Sequence, residues 1–281
     1  MIKPLLALLI FSILTTTAVG QRDADIDFGV DMLKRAAGSF CEGDTNQTIR
    51  TLETFIATFP DLGTSLLIRR RLSDLYLAKG NTEQASDLLK TVLSTKPTMG
   101  YLLYVDSCGL YGKLDVSPNR AECCVTLSKT YDQLGDTATA LEYLNLADTK
   151  YLPYTSCGNG MRMYRTKLSL DFADHYLHAG DTSKAIDRLI QYFILNEGYN
   201  DTVTAMLRSI LLLSYSQQQI TAEVKNALKT MKIVRGRKNE PEDILLITFF
   251  GRTVKQAAYK NLKFYKDIYR KDRNILFLMN G

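Results

Sequence analysis

The chain has 281 residues, 46% hydrophobic and 23% charged, a globular balance that excludes disorder as the default and allows a sizeable core or one extended solenoid. The net charge is +5 and is uneven: residues 222–281 carry 14 Lys and Arg against 6 Asp and Glu, so the rest of the chain is slightly acidic. There is no CxxC, HExxH or GxSxG, and Gly158-Asn159-Gly160 lacks the flanking pattern of a phosphate loop, which removes the common zinc, hydrolase and nucleotide signatures.

The start of the chain reads as a secretory signal peptide over residues 1–20. Lys3 gives a positive lead, Leu5–Leu14 an apolar run, and Ala18-Val19-Gly20 small residues ahead of a cut before Gln21. The run falls short of the roughly 20 apolar residues that a membrane span needs. No cysteine follows the cut to take a lipid. The mature protein is expected to be secreted or periplasmic.

Ile26–Phe40 and Thr45–Thr58 form a first predicted helical hairpin, closed by Phe59-Pro60 and a turn at Asp61-Leu62-Gly63. The clearest unit follows at Leu66–Pro97. Its first helix carries Leu67, Leu72, Leu75, Tyr76 and Leu77 on one face, and its second carries Ala85, Leu88, Leu89, Val92 and Leu93. Gly80 suits a left-handed helix end, Asn81 or Thr82 caps the next helix, and Pro97 stops it. An insert, Thr98–Arg120, is punctuated by Gly100, Gly109, Gly112 and Pro118. Its Tyr101, Tyr104 and Tyr111 are either a contact surface or a set packed on the edge of the repeats.

Ala121–Leu134 with Thr137–Thr149 make a third hairpin, Leu152–Gly160 a loop, and Met161–Ala179 with Thr182–Leu195 a fourth hairpin. Asn200–Ser216 reads as one helix able to cap the stack. Thr221–Ile233 is predicted helical, and Arg235–Glu240 is a polar linker before Pro241. Asp243–Phe250 and Arg252–Ala258, around Gly251, fit a β-hairpin or a buried helix; a short apolar run leaves both open. Asn261–Lys271 is a helix and Ile275–Met279 a packed end.

The hairpins share a spacing. Leu72, Tyr76, Gly80, Ala85, Leu89 and Pro97 recur as Leu127, Tyr131, Gly135, Asp136, Ala140, Leu144 and Ala147, and again as Phe172, Ala173, Tyr176, Gly180, Asp181, Ala185 and Leu189. A degenerate copy has Ala36, Gly43, Asp44, Thr48, Leu52, Phe55 and Pro60. The pattern resembles the tetratricopeptide repeat. It covers about Ile26–Asn196 and departs from a uniform period, with glycine steps of 37, 55 and 45 residues and no tryptophan.

The resemblance implies a mainly α chain: a right-handed α-solenoid of helical hairpins over residues 21–220, followed by a basic C-terminal region over 221–281. It also implies a concave groove that binds a protein or peptide. By the family's offsets that groove includes Arg70, Asp74, Lys129, Asp132, Gln133, Lys167, Asp171, Asp174 and His178. Their mixed signs favour an extended partner carrying both charges, or a partner helix, over a free carboxylate. On this reading the protein is a non-catalytic scaffold with no cofactor and no nucleic-acid partner.

The alternative rests on D-x-x-D-H-x-x-H, formed by Asp171, Asp174, His175 and His178. Residues three and four apart share a helix face, and such groups serve as metal ligands or acid–base partners of a hydrolytic enzyme. Ligands from a second element are not signalled, and a polar groove wall is the simpler account. Cys108, Cys123, Cys124 and Cys157 cluster in sequence while Cys41 stands apart. A bridge from Cys108 or Cys157 to the adjacent pair would staple the insert; buried inert thiols are the equal alternative. Asn46-Gln47-Thr48 and Asn200-Asp201-Thr202 match glycosylation acceptors.

In the tail, Lys255, Lys260, Lys263, Lys266, Arg270, Lys271 and Arg273 interleave with Tyr259, Tyr265 and Tyr269. This is a surface for anionic lipid headgroups or envelope polysaccharide, with nucleic acid weakest for an exported chain. The plain alternative is a solvated helix face whose long side chains cover apolar surface.

Overall fold

The computed structural model describes residues 27–96, 108–111, 119–152, 158–193, 201–235 and 243–280. The expected signal peptide, most of the insert with Tyr101 and Tyr104, Cys157, and most of the Arg235–Glu240 linker lie outside these residues. The chain is mainly α, with tetratricopeptide-like hairpins and a small C-terminal sheet. It packs as two compact units, Met1–Cys123 and Cys124–Gly281.

The helices of the hairpins are α1 (27–41), α2 (Thr45–Thr58), α3 (Gly63–Ala78), α4 (Thr82–Ser94), α5 (Arg120–Gln133), α6 (Thr137–Thr149), α7 (Gly158–His178) and α8 (Thr182–Phe193). One turn is used four times. Gly43, Gly80, Gly135 and Gly180 take φ of +82°, +76°, +80° and +77°. Each donates its N–H three residues back, and the next residue donates five back, as in Gly80 to Leu77 (3.0 Å) and Asn81 to Tyr76 (2.9 Å). This pair of bonds satisfies carbonyls that a helix end leaves open.

The residue after the glycine then opens the following helix. The carboxylates of Asp44, Asp136 and Asp181 accept from the N–H groups of Gln47, Thr139 and Lys184 at 2.9, 3.1 and 3.0 Å. Such a cap contributes about 1 kcal/mol. Asn81 stands at the same position without a side-chain cap bond. Five residues past each glycine comes a small, fully buried residue: Thr48, Ala85, Ala140 or Ala185. Its size permits close helix approach. Four residues further come the buried Leu52, Leu89, Leu144 and Leu189.

The first unit is cored by Met32, Leu33 and Ala36 of α1, Leu52 and Phe55 of α2, and Ile68 and Leu72 of α3. Leu110 and Tyr111 of the insert enter the same core. Tyr111 is 1% exposed, and its hydroxyl donates to the Leu33 carbonyl at 2.7 Å, so the packed reading holds for this tyrosine. Beside it Cys41 is bonded to Cys108, with Cα atoms 5.6 Å apart. This corrects the expected pairing. The insert is fastened back to α1, 67 residues upstream, and Cys123 and Cys124 stay outside the bridge, buried as apolar residues of α5. Burial pushes the Cys123 thiol up to about 12.

In the second unit α6 packs on α7, α7 on α8, and α8 on α9 (Asp201–Leu211). There follow α10 (Gln217–Thr230), β1 (Lys232–Val234), β2 (Asp243–Phe249), β3 (Arg252–Ala258), α11 (Leu262–Lys271) and α12 (Arg273–Asn280). The sheet is antiparallel in the order β1-β2-β3, with Ile233 opposite Leu245 and Leu245 opposite Gln256. One core runs from Ala173 and Leu189 through Leu207, Val224, Leu245 and Phe249 to Tyr269 and Leu278. Packing is therefore continuous across residues 220 and 221.

Several boundaries differ from the sequence reading. The predicted helix Asn200–Ser216 ends at Leu211, and Ser216 instead caps α10 in a reciprocal box with Gln219. The predicted helix Thr221–Ile233 ends at Thr230, because the β-branched Ile233 and Val234 pair with β2. Helices α3 and α7 begin earlier than expected, at Gly63 and Gly158. The hairpin alternative is the one found for Asp243–Ala258, turning on Phe250 (φ +48°) and Gly251 (φ +77°). Phe250 is held there by its N–H bond to Glu223, 2.8 Å, and by the Tyr215 ring at 4.9 Å.

Candidate partner-binding face on the repeat helices

Helices α5 and α7 are the first helices of their hairpins. Their core faces are set by Leu127 and Phe172, eight residues before the turn glycine, and by buried Ser128 and Ala173 beside them. Tyr131 stacks on Tyr143 across α5 and α6, with centroids 5.7 Å apart. With these side chains turned inward, the helical repeat places Lys129 and Gln133 of α5, and Lys167, Asp174 and His178 of α7, away from the core seam, while Asp132 and Asp171 lie at the contact between α5 and α7. Asp74, Lys129 and Asp174 occupy one register, six residues before their glycines.

The second unit brings four of the charged groups into two pairs. Lys129 Nζ lies 2.6 Å from the buried Asp171 carboxylate. His175 Nδ1 lies 2.9 and 3.1 Å from the two oxygens of Asp132. His175 is 3% exposed. In the neutral ring the carboxylate fixes the proton on Nδ1, which donates. Both contacts join α5 to α7. A third pair, Arg188 to Asp148 at 2.5 Å, joins α8 to α6, and the Arg188 guanidinium lies 4.0 Å above the Phe172 ring. Asp171 and His175 are the buried members, so removing Lys129 or Asp132 would leave a buried polar group without its partner.

Gln133, Lys167, Asp174 and His178 are exposed and make no hydrogen bond or ion pair among the described residues. The surrounding protein lifts the Asp174 carboxyl above its ordinary value by partial desolvation; Lys129 opposes this and Asp171 adds to it. The result is an open polar row bordered by two satisfied pairs. In the first unit Arg70 and Asp74 pair with each other along α3, Arg71 adds a contact to Asp74 at 3.6 Å, and Ser73 Oγ donates to the Arg70 carbonyl at 2.6 Å.

The D-x-x-D-H-x-x-H face does not converge. Asp171 and His175 turn to separate partners on α5, while Asp174 and His178 face outward. Among the described residues no group of three or more His, Cys, Asp or Glu is placed to hold a metal ion. The Asp132–His175 and Arg188–Asp148 pairs escaped the sequence reading. Their separations of 43 and 40 residues lie close to one repeat period, the signal that could have found them.

Residues 121–149, spanning α5 and α6, match the sequence model of the tetratricopeptide repeat family. No curated protein matches the chain at a significant level. Among solved structures, a tetratricopeptide repeat protein from Parabacteroides merdae is similar at 13% identity, covering 74% of this chain and 93% of that one. The TM-score is 0.24, a superposition too loose to carry any statement about this chain. Tetratricopeptide repeats generally bind protein partners and are typically non-catalytic. Residues 121–149 thus carry a tetratricopeptide repeat, and the hairpins before and after it share its glycine turn and its small buried residue.

Proposed function

We propose that the protein is an exported, non-catalytic scaffold that holds a protein or peptide partner on the first helices of its repeats. The observation that carries this reading is the open row of Gln133, Lys167, Asp174 and His178 on α5 and α7. Its polar groups are exposed and unspent, while the neighbouring Lys129–Asp171 and Asp132–His175 pairs fix the two helices behind it. Donors and acceptors of both signs suit an extended segment with alternating charge. Arg70, Asp74, Lys129, Asp132 and Asp171, already paired, act as the rigid frame or as secondary contacts.

Export is supported by the apolar N-terminal run with its small-residue cut site. It is supported independently by the Cys41–Cys108 bridge, since structural disulfides persist in oxidising compartments.

The test is affinity capture with residues 21–281 as bait against envelope and secreted extract. A Lys167→Glu/His178→Glu variant runs in parallel; both positions are exposed, so the fold is preserved. A partner held by the wild-type bait and lost by the variant is the expected result. A partner held equally by both removes the α5–α7 row from the binding surface.

A further inference from the structure

Helix α11 carries four of the 14 basic residues of the tail, Lys263, Lys266, Arg270 and Lys271. Helix α11 is locked by its inward face, where Tyr265 and Tyr269 are buried. The Tyr265 hydroxyl accepts from the Tyr259 N–H at 2.9 Å, and the Tyr269 hydroxyl donates to Gln256 at 2.7 Å. These bonds fix the rotation of the helix and turn Lys263, Arg270 and Lys271 outward, with Lys260 just before its N-cap Asn261. All four are exposed, and none is paired with a carboxylate among the described residues. Two acidic groups, Asp267 and Asp272, lie beside them; Asp272 accepts from the N–H groups of Asn274 and Ile275, and Lys266 spends its ammonium on the Lys229 carbonyl at 3.4 Å.

Aromatic surface lies among these cations. Tyr259 is 72% exposed and Phe264 is 42% exposed. Phe264 and the half-buried Ile268 line an open depression with Lys271 at its rim. A solvated helix face gains nothing from exposed rings. A soluble polyanion would engage the cations and leave the rings in water. A bilayer interface takes both, since cations are drawn to the anionic headgroup layer and amphipathic rings settle at its depth.

We propose that this surface, with Lys260, Lys263, Arg270 and Lys271 around Tyr259 and Phe264, docks the protein on an anionic phospholipid bilayer. The contact is peripheral. No helix among the described residues is long and apolar enough to cross a membrane, and the apolar side of α11 is already used by the core. Docking through α11 is independent of partner binding on α5 and α7, so failure of either leaves the other standing.

The experiment is sedimentation of residues 21–281 with vesicles of phosphatidylcholine containing about 30 mol% phosphatidylglycerol, against pure phosphatidylcholine. Binding to the anionic vesicles alone is expected, and it should be lost at about 0.5 M salt, where screening cuts the field to a few Å. Each cation near the surface contributes about fivefold in affinity. A Lys263→Ala/Arg270→Ala/Lys271→Ala variant, folded by its melting midpoint, should therefore bind on the order of 100-fold more weakly. Tyr259→Ser/Phe264→Ser should weaken binding without changing its salt dependence. Equal binding to neutral vesicles, or a triple variant that binds as the wild type does, overturns the proposal. Unchanged binding by the double serine variant overturns the bilayer assignment in favour of a charge-only polyanion site.

Discussion

A series at Gly135 tests the repeated turn most sharply. This residue joins α5 to α6 at φ +80°, and a Cβ built there meets nothing within 4 Å. The cost of a side chain is therefore that of the backbone alone, about 1–2 kcal/mol for an ordinary L-residue in the left-handed region. Against this, alanine narrows the unfolded ensemble and recovers about 0.4–1 kcal/mol, so Gly135→Ala is expected to lose about 1 kcal/mol net. Asparagine tolerates the conformation and should lose less; valine, branched at Cβ, should lose most. The assay is urea denaturation followed by helical circular dichroism, with a shift of about 2–4 °C per kcal/mol in a parallel thermal melt. The same order is expected at Gly180, where φ is +77° and the Cβ position is also open. An alanine variant as stable as the wild type, or asparagine costing more than alanine, would refute the reasoning.

Reducing the Cys41–Cys108 bridge, or Cys41→Ser/Cys108→Ser, should destabilise the first unit by up to about 4 kcal/mol, from the loop entropy of a 67-residue separation. Peptide mapping should recover the 41–108 linkage and find Cys123 and Cys124 unalkylated in native protein at pH 8, where the Cys123 thiol stays protonated. Asp132→Ala should cost about 1–3 kcal/mol in denaturant titration, because it strands the buried His175 imidazole. The exposed Gln133→Ala should stay within about 0.5 kcal/mol. For Asp174 the folded carboxyl titrates above its ordinary 3.8. Its contribution is thus fully present below that pH and is lost as pH rises through the folded value. Asp174→Asn should raise the denaturation midpoint at pH 7, and the gain should vanish below about pH 4; a gain that persists there contradicts the assignment.

The hairpins could be read from the chain because their determinants are local. Gly80 followed by Asn81, and Gly135 followed by Asp136, encode both a helix end and the next helix start within two residues. The small Ala85, Ala140 and Ala185 then mark where two helices touch. The bridge was misread because Cys108 stands near Cys123 and Cys124 in sequence, whereas the insert returns to α1 and buries Leu110 and Tyr111 there. Strand β1 was hidden behind α10: its three residues gain strand character only from pairing with β2, ten and more residues downstream. On α7 the periodicity grouped Asp171, Asp174, His175 and His178, yet it says nothing of α5. Two of the four are drawn to Lys129 and Asp132 there and two are left to solvent. Lys167, Asp174 and His178, expected to line a groove, face outward, but a partner for them is not written in a single helix face.

The scaffold claim is tested most directly by site-specific photo-crosslinking to the captured partner. A photoreactive residue is placed at Gln133 or Asp174, on the first helices of their hairpins, and at the exposed Asn145 of α6 as the control. Crosslinks from the first two positions and none from Asn145 are predicted. Crosslinks from Asn145 alone, with Gln133 and Asp174 silent, would contradict the account.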